Sequence, residues 1–169
     1  KRMRNLNPDE IYDQVVAIDN ESRLYFDRPL SNIVFMGMGE PLMNYNNVLK
    51  AIDKITSPEG LGMSPKRIVV STSGVPKMIK KMADDEVKFK LAVSLHSAID
   101  EVRTSIMPFN ATFPLSDLRE ALELQLNYCL ENKFSDEITT ELKNAIGRLR
   151  RVEKDRRDGV LSSNDFYER

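Results

Sequence analysis

Glu40 is a lone carboxylate set behind two glycines and ahead of a proline in NIVFMGMGEPLMNYNNVLKAI, residues 32–52. Ser71, Thr72 and Ser73 end a second apolar run in SPKRIVVSTSG, and Ser94, Leu95 and His96 end a third in KFKLAVSLHS. An acid, a group of hydroxyls and the chain's only histidine therefore each follow a short hydrophobic stretch. Such groups hold a polar ligand through hydrogen bonds and charge, provided that one rim gathers them. Gly37 and Gly39 remove side chains beside Glu40, so a ligand can come close to the backbone there. Each stretch also has an ordinary reading. Glycine and proline after a strand are common punctuation, serines at strand ends cap helices, and a lone histidine is often a satisfied core residue.

The elements that must position these residues alternate. Asn7, Pro8, Asp9 and Glu10 open a helix, with Asn7 as its N-cap. A strand at 32–38, buried on both faces, is followed by a helix at about 46–57. A second strand runs over 67–72 and turns at Gly74. Val75, Met78, Ile79 and Met82 then share one face of a short helix. KFKLAVSLHS is the third strand and AIDEVRTSIM the next helix. Strands and helices in alternation imply parallel pairing through crossovers. In a parallel sheet the carboxyl ends lie on one rim, where α/β folds keep their ligands. Three such units are an arc of an eight-stranded barrel or a small open sheet, with edges left to cover or pair.

The texture changes after Leu115. All 8 prolines lie at or before Pro114, and 5 of the 7 glycines precede residue 75. That shift divides the chain into residues 1–115, an α/β partial barrel of about three parallel strands, and residues 116–169, a helical tail. Leu118, Leu122, Leu126 and Leu130 recur every four residues, answered by Ile138, Leu142, Ile146 and Leu149, as in a helical hairpin over about 115–132 and 136–156. A turn at Asp158-Gly159 precedes a short helix after Ser162-Ser163.

Composition narrows the class. The 169 residues carry a formal net charge of −1 and are 41% hydrophobic and 30% charged, which suits one domain with a small appendage and announces no global basic field. No apolar run approaches the length of a membrane span, and no signal peptide opens the chain. A single cysteine, Cys129, precludes an internal disulfide and fits a reducing cytoplasm. Its place among Leu126 and Leu130 reads as structural.

FMGMGEPLMNYNNVLKAI, SPKRIVVSTSGV and LAVSLHSAIDEVRTSIMP resemble, in order and spacing, the radical S-adenosylmethionine (SAM) methyltransferases that modify C2 of adenine in ribosomal and transfer RNA. MRNLNPDEIYDQV resembles the family segment after the cluster-binding loop, so the likeness covers about residues 3–115. It implies that Gly39 and Glu40 hold the methionyl amino group of SAM, that Ser71 binds the same cofactor, and that Ser94, Leu95 and His96 line it. It implies ribosomal RNA and transfer RNA as substrates and a [4Fe-4S] cluster, whose cysteine ligands this chain does not carry. The methyl-carrying cysteine, the remaining strands and an amino-terminal helical domain are likewise outside these residues. The tail resembles the small helical effector-associated domains of bacterial signalling and conflict systems, on its first helix, RLRRVEKDRRDGVLS and FYER. Two functions follow: a catalytically silent fragment that keeps the SAM-contacting strand ends, or a non-catalytic adaptor whose tail meets a protein partner. Oligomeric state is left open. The six basic residues between Arg148 and Arg157 alternate with Glu153 and Asp155, the habit of a solvated helix face.

Overall fold

The computed structural model describes residues 4–134 and 136–159. The order is α1 (Pro8–Phe26), β1 (Ile33–Phe35), α2 (Tyr45–Thr56), β2 (Ile68–Thr72), β3 (Lys90–Val93 after α3, Pro76–Asp84), α4 (Asp100–Ile106), α5 (Leu115–Glu131) and α6 (Asp136–Arg157). Two compact units result: residues 1–72 with 88–93, and residues 73–87 with 94–169. The division follows packing and interleaves along the chain; the boundary expected near 115 concerns where one texture gives way to another.

In the first unit the three strands form one parallel sheet in the order β1-β2-β3. This is the partial α/β sheet that the alternation predicts. Ile68 and Val70 on central β2 are fully buried, as are Ala51 and Ile55 on α2, and each large apolar side chain so buried contributes about 1.5–3 kcal/mol. β1 departs from expectation. It is three residues long rather than seven, and Val34 is 45% exposed, so it is not buried on both faces. Being an edge strand explains this: β2 covers one side, and among the described residues no strand covers the other. The chain leaves the ladder at once, with Met36 N–H donating back to the Val34 carbonyl at 3.0 Å.

α1 begins as its sequence dictates. The Glu10 N–H donates to Asn7 Oδ1 and the Asn7 N–H to Glu10 Oε2, both at 2.9 Å, a reciprocal capping box. The Arg4 guanidinium grips the same carboxylate. The Arg4 hydrogen bond, then the Asn7 N–H, hold the Glu10 pKa down at about 2, from an ordinary 4.5. A lowered folded-state pKa means stabilisation that is complete above the ordinary value and lost as pH falls from there toward about 2. Asn7→Ala is expected to cost about 1 kcal/mol in chemical denaturation at neutral pH. Glu10→Gln should flatten the acid limb of the stability profile in that window, and an unchanged limb would contradict the capping assignment.

The second unit is helical. α3 packs on α5 and α5 on α6, around Ile79, Met82, Leu118 and Leu122, all at most 1% exposed, with Ile146 and Leu149 at 4% and 2%. The helical hairpin is present. Its stripe is not quite the one read from the leucines, because Leu130 is 46% exposed and Gln125 and Cys129 take the buried positions. A spacing of four overshoots the 3.6-residue turn by about 40° per step, so Leu130 has rotated off the face that Leu118 and Leu122 define. Asp158-Gly159 turns as expected. The short helix after Ser162-Ser163 and the FYER motif lie outside the described residues, as does the side chain of Ile138. No described helix is long and apolar enough to cross a membrane.

Candidate functional site at the strand ends

In the first unit, the loop after β1 carries Gly39 and Glu40. Gly39 sits at φ +93°, the left-handed region, and a Cβ built there would meet nothing within 4 Å. Glycine is therefore required by the backbone and not by crowding, and the peptide at Gly39 stays approachable. Glu40 caps the one-turn 3-10 helix Pro41–Asn44, its Oε1 accepting from the Leu42 N–H at 2.9 Å. The same oxygen accepts from the Thr72 hydroxyl at 2.7 Å. These donors fix the carboxylate's orientation, and hydrogen bonds to an ionised acceptor are the stronger kind.

Thr72 is thus the partner that ties the end of β2 to the loop after β1. Its neighbour Ser71, paired with Ala92 of β3, projects to the other face of the sheet, since strand side chains alternate. Ser71 is 8% exposed, and among the described residues its hydroxyl has no hydrogen-bond partner. The sheet brings Glu40 to Thr72 and leaves Ser71 unjoined to Glu40 by any described hydrogen bond. A cleft of about 560 Å³ borders the loop, with Met36 to Pro41 along one side, Ile33 to Phe35 of β1, and Ile11, Gln14 and Val15 of α1.

Ser94, Leu95 and His96 belong to the second unit. Their expected strand ends at Val93. His96 turns left-handed at φ +59°, and Ser97 N–H closes on the Leu95 carbonyl at 2.7 Å. A non-glycine residue in that region costs about 1–3 kcal/mol and persists only where its surroundings hold it. Ser94 and Leu95 are half-buried and His96 is exposed. What holds the turn is a residue the sequence reading did not single out. The Arg103 side chain, 0% exposed, donates from Nε to the Leu95 carbonyl at 3.1 Å, and from its two terminal nitrogens to Asn110 Oδ1 and the Ser73 carbonyl. Burial pushes the Arg103 pKa down while the charge of Asp100 pushes it up. The helices after these strands begin at Val75 and Ile99 without side-chain caps. The strand-end serines, read alternatively as helix caps, therefore do not sit at those N-caps, although Ser97 Oγ accepts from the Ile99 N–H at 3.0 Å.

SAM suits the first unit's share of these residues. Ser71 is 8% exposed and its hydroxyl makes no hydrogen bond among the described residues, no side chain crowds the Gly39 backbone, and the Glu40 carboxylate is held in one orientation, as a cationic amino group requires of its acceptor. An iron-sulfur cluster does not suit the chain. Such clusters need several thiolates, whereas Cys129 is the single cysteine, is 2% exposed, and has its thiol pKa raised by burial. Among the described residues no group of His, Cys, Asp or Glu has metal-binding geometry.

No protein-family model matches the chain. Individual relatives do. Over 123 residues, 73% of this chain, it is 89% identical to the "Probable dual-specificity RNA methyltransferase RlmN" of Christiangramia forsetii, and 82% identical to that of Flavobacterium psychrophilum. The Cytophaga hutchinsonii protein of the same name is 56% identical over 134 residues. The crystal structure of a radical SAM methyltransferase from Sphaerobacter thermophilus superposes with a TM-score of 0.71 at 35% identity, covering 83% of this chain and 44% of that one. The chain spans about a third of the length of the curated relatives it matches, 35–36% in these three. Over the matched residues it is a segment of the radical SAM dual-specificity RNA methyltransferases, the family to which it belongs.

Proposed function

We propose that this chain is the SAM-contacting segment of an enzyme that methylates C2 of adenine in ribosomal RNA and transfer RNA in the cytoplasm. Gly39 and Glu40 receive the methionyl amino group of SAM and Ser71 hydrogen-bonds the cofactor, while the family resemblance assigns Ser94, Leu95 and His96 to the same cofactor. The boundary near residue 115 separates this segment from the helical tail. The observation that carries the reading is the Glu40 carboxylate, held by Thr72 and the Leu42 N–H beside a left-handed glycine. SAM supplies a methyl group activated as a sulfonium. The chain's own residues hold the amino-acid end of that molecule: Glu40 as counter-charge, the Gly39 loop as a backbone surface, Ser71 as a donor or acceptor. No step is assigned to a cluster, for which this chain has no ligand set.

A second reading treats the chain as an adaptor whose tail meets a protein partner. It is favoured by the structural work of Glu40, which caps the turn at Pro41–Asn44 and accepts from the Thr72 hydroxyl. Equilibrium dialysis of the purified chain against labelled SAM separates the two. Saturable binding is expected, with no methyl transfer to ribosomal or transfer RNA by this chain alone. Absence of binding would favour the adaptor, and methyl transfer would refute catalytic silence.

A further inference from the structure

Arg103 is among the largest fully buried side chains in the protein, and among the described residues it has no carboxylate in salt-bridge range. Burying a guanidinium without a direct counter-ion is costly, so its hydrogen bonds must require that fork. They go to two backbone carbonyls in different loops, those of Ser73 and Leu95, and to one amide oxygen, Asn110 Oδ1. Asn110 is itself fixed: its Nδ2 donates to Asp100 Oδ1 at 2.8 Å and to Thr104 Oγ1 at 2.9 Å. The Asp100 carboxylate also accepts from the Leu115 N–H at 2.9 Å. A chain from acid to amide to guanidinium thus ends on the carbonyl immediately before His96, the residue held left-handed.

We propose that Arg103 is a positioning residue for the Ser94–Leu95–His96 turn, and through that turn for the role that the SAM reading gives these three residues. The second half rests on the SAM reading above; the first does not. Lysine keeps the charge but lacks the planar fork that reaches two carbonyls and an amide at fixed angles. Arg103→Lys therefore leaves a folded chain with a displaced turn.

His96 is the only histidine, so its imidazole gives a single assigned signal in the NMR spectrum of the labelled full chain. The experiment compares wild type, Arg103→Lys and Leu149→Ala, the last a cavity variant of the same unit at a 2% exposed position. The imidazole signal is expected to move or broaden in Arg103→Lys, to stay in place in Leu149→Ala, and SAM affinity to fall about tenfold in Arg103→Lys alone. An unmoved signal in folded Arg103→Lys overturns the proposal whatever SAM does, and an equal movement in Leu149→Ala reduces Arg103 to a structural role and overturns it too. A moved signal with unchanged SAM affinity overturns the second half. A moved signal in a protein whose wild type binds no SAM removes the SAM reading and leaves the positioning role standing. Should Arg103→Lys fail to fold, Asn110→Ala, which leaves the guanidinium in place without its orienting acceptor, is read by the same criteria.

Discussion

Arg103→Ala is expected to lower the stability of the chain by about 2–5 kcal/mol, the range for truncating a large buried side chain to alanine. The loss has identifiable parts. The Ser73 carbonyl and Asn110 Oδ1 lose their charged donor, and the Leu95 carbonyl keeps its bond from Ser97 N–H. Asn110 Oδ1 is the buried acceptor of the three, and leaving such a group short costs about 1–3 kcal/mol, with less lost at the part-buried carbonyls. The volume of the guanidinium stem adds a cavity beside Gly74, whose added Cβ would stand 3.6 Å from Arg103 Nη2 and 3.0 Å from a Leu118 methyl. Release of a desolvated cation works the other way, which keeps the sum below the total of its parts. Denaturant titration followed by circular dichroism measures the change. A loss under about 1 kcal/mol would mean that water replaces the guanidinium without penalty and that the network does not organise these loops.

Glu40→Ala is expected to weaken SAM binding by about 10- to 100-fold, equivalent to the 1.5–3 kcal/mol of a hydrogen bond to a charged group. Two effects are mixed in that variant, because Glu40 also caps Pro41–Asn44. Glu40→Gln separates them. The amide oxygen still accepts from Leu42 and Thr72, so the turn persists, but the counter-charge to the amino group is gone. SAM affinity should fall nearly as far in Glu40→Gln as in Glu40→Ala. Thr72→Val, which removes one orienting donor at similar volume, should cost a smaller factor, about fivefold for a bond worth roughly 1 kcal/mol. Calorimetric titration of the three variants gives the ranking. If Glu40→Gln binds like wild type, the carboxylate serves the fold alone.

What could be read from the chain beforehand follows from the range of the forces involved. The start of α1 rests on neighbours three residues apart, Asn7 and Glu10, and is visible to the eye. The parallel sheet follows from alternation, and the helical hairpin from periodicity. Strand lengths were not readable: β1 stops at Phe35 because an edge strand has a partner on one side only, which is a property of the sheet and not of MGMG. The Thr72–Glu40 bond spans 32 positions; Thr72 stood among the strand-end hydroxyls, but nothing singled it out from Ser71 and Ser73. Arg103 was missed for a deeper reason. It sits in AIDEVRTSIM like a solvent-facing helix residue, and its partners are mostly backbone carbonyls, which every residue owns and no motif records. Its one side-chain partner, Asn110, lies 7 positions on. An arginine placed four residues after Ile99, which is 6% exposed, and four before Met107 was the available hint of burial.

A comparison of two ligands bears most directly on the strand ends as a holder of SAM. Titration of the wild-type chain and of Glu40→Gln with SAM and with 5′-methylthioadenosine, which keeps the nucleoside and lacks the amino-acid group and the sulfonium charge, reads what the amino-acid end adds and how much of it Glu40 supplies. SAM is expected to bind at least about tenfold more tightly, since only it carries the ammonium for the carboxylate. Equal affinity for the two ligands, or no heat with either, would contradict the assignment of these residues to the cofactor.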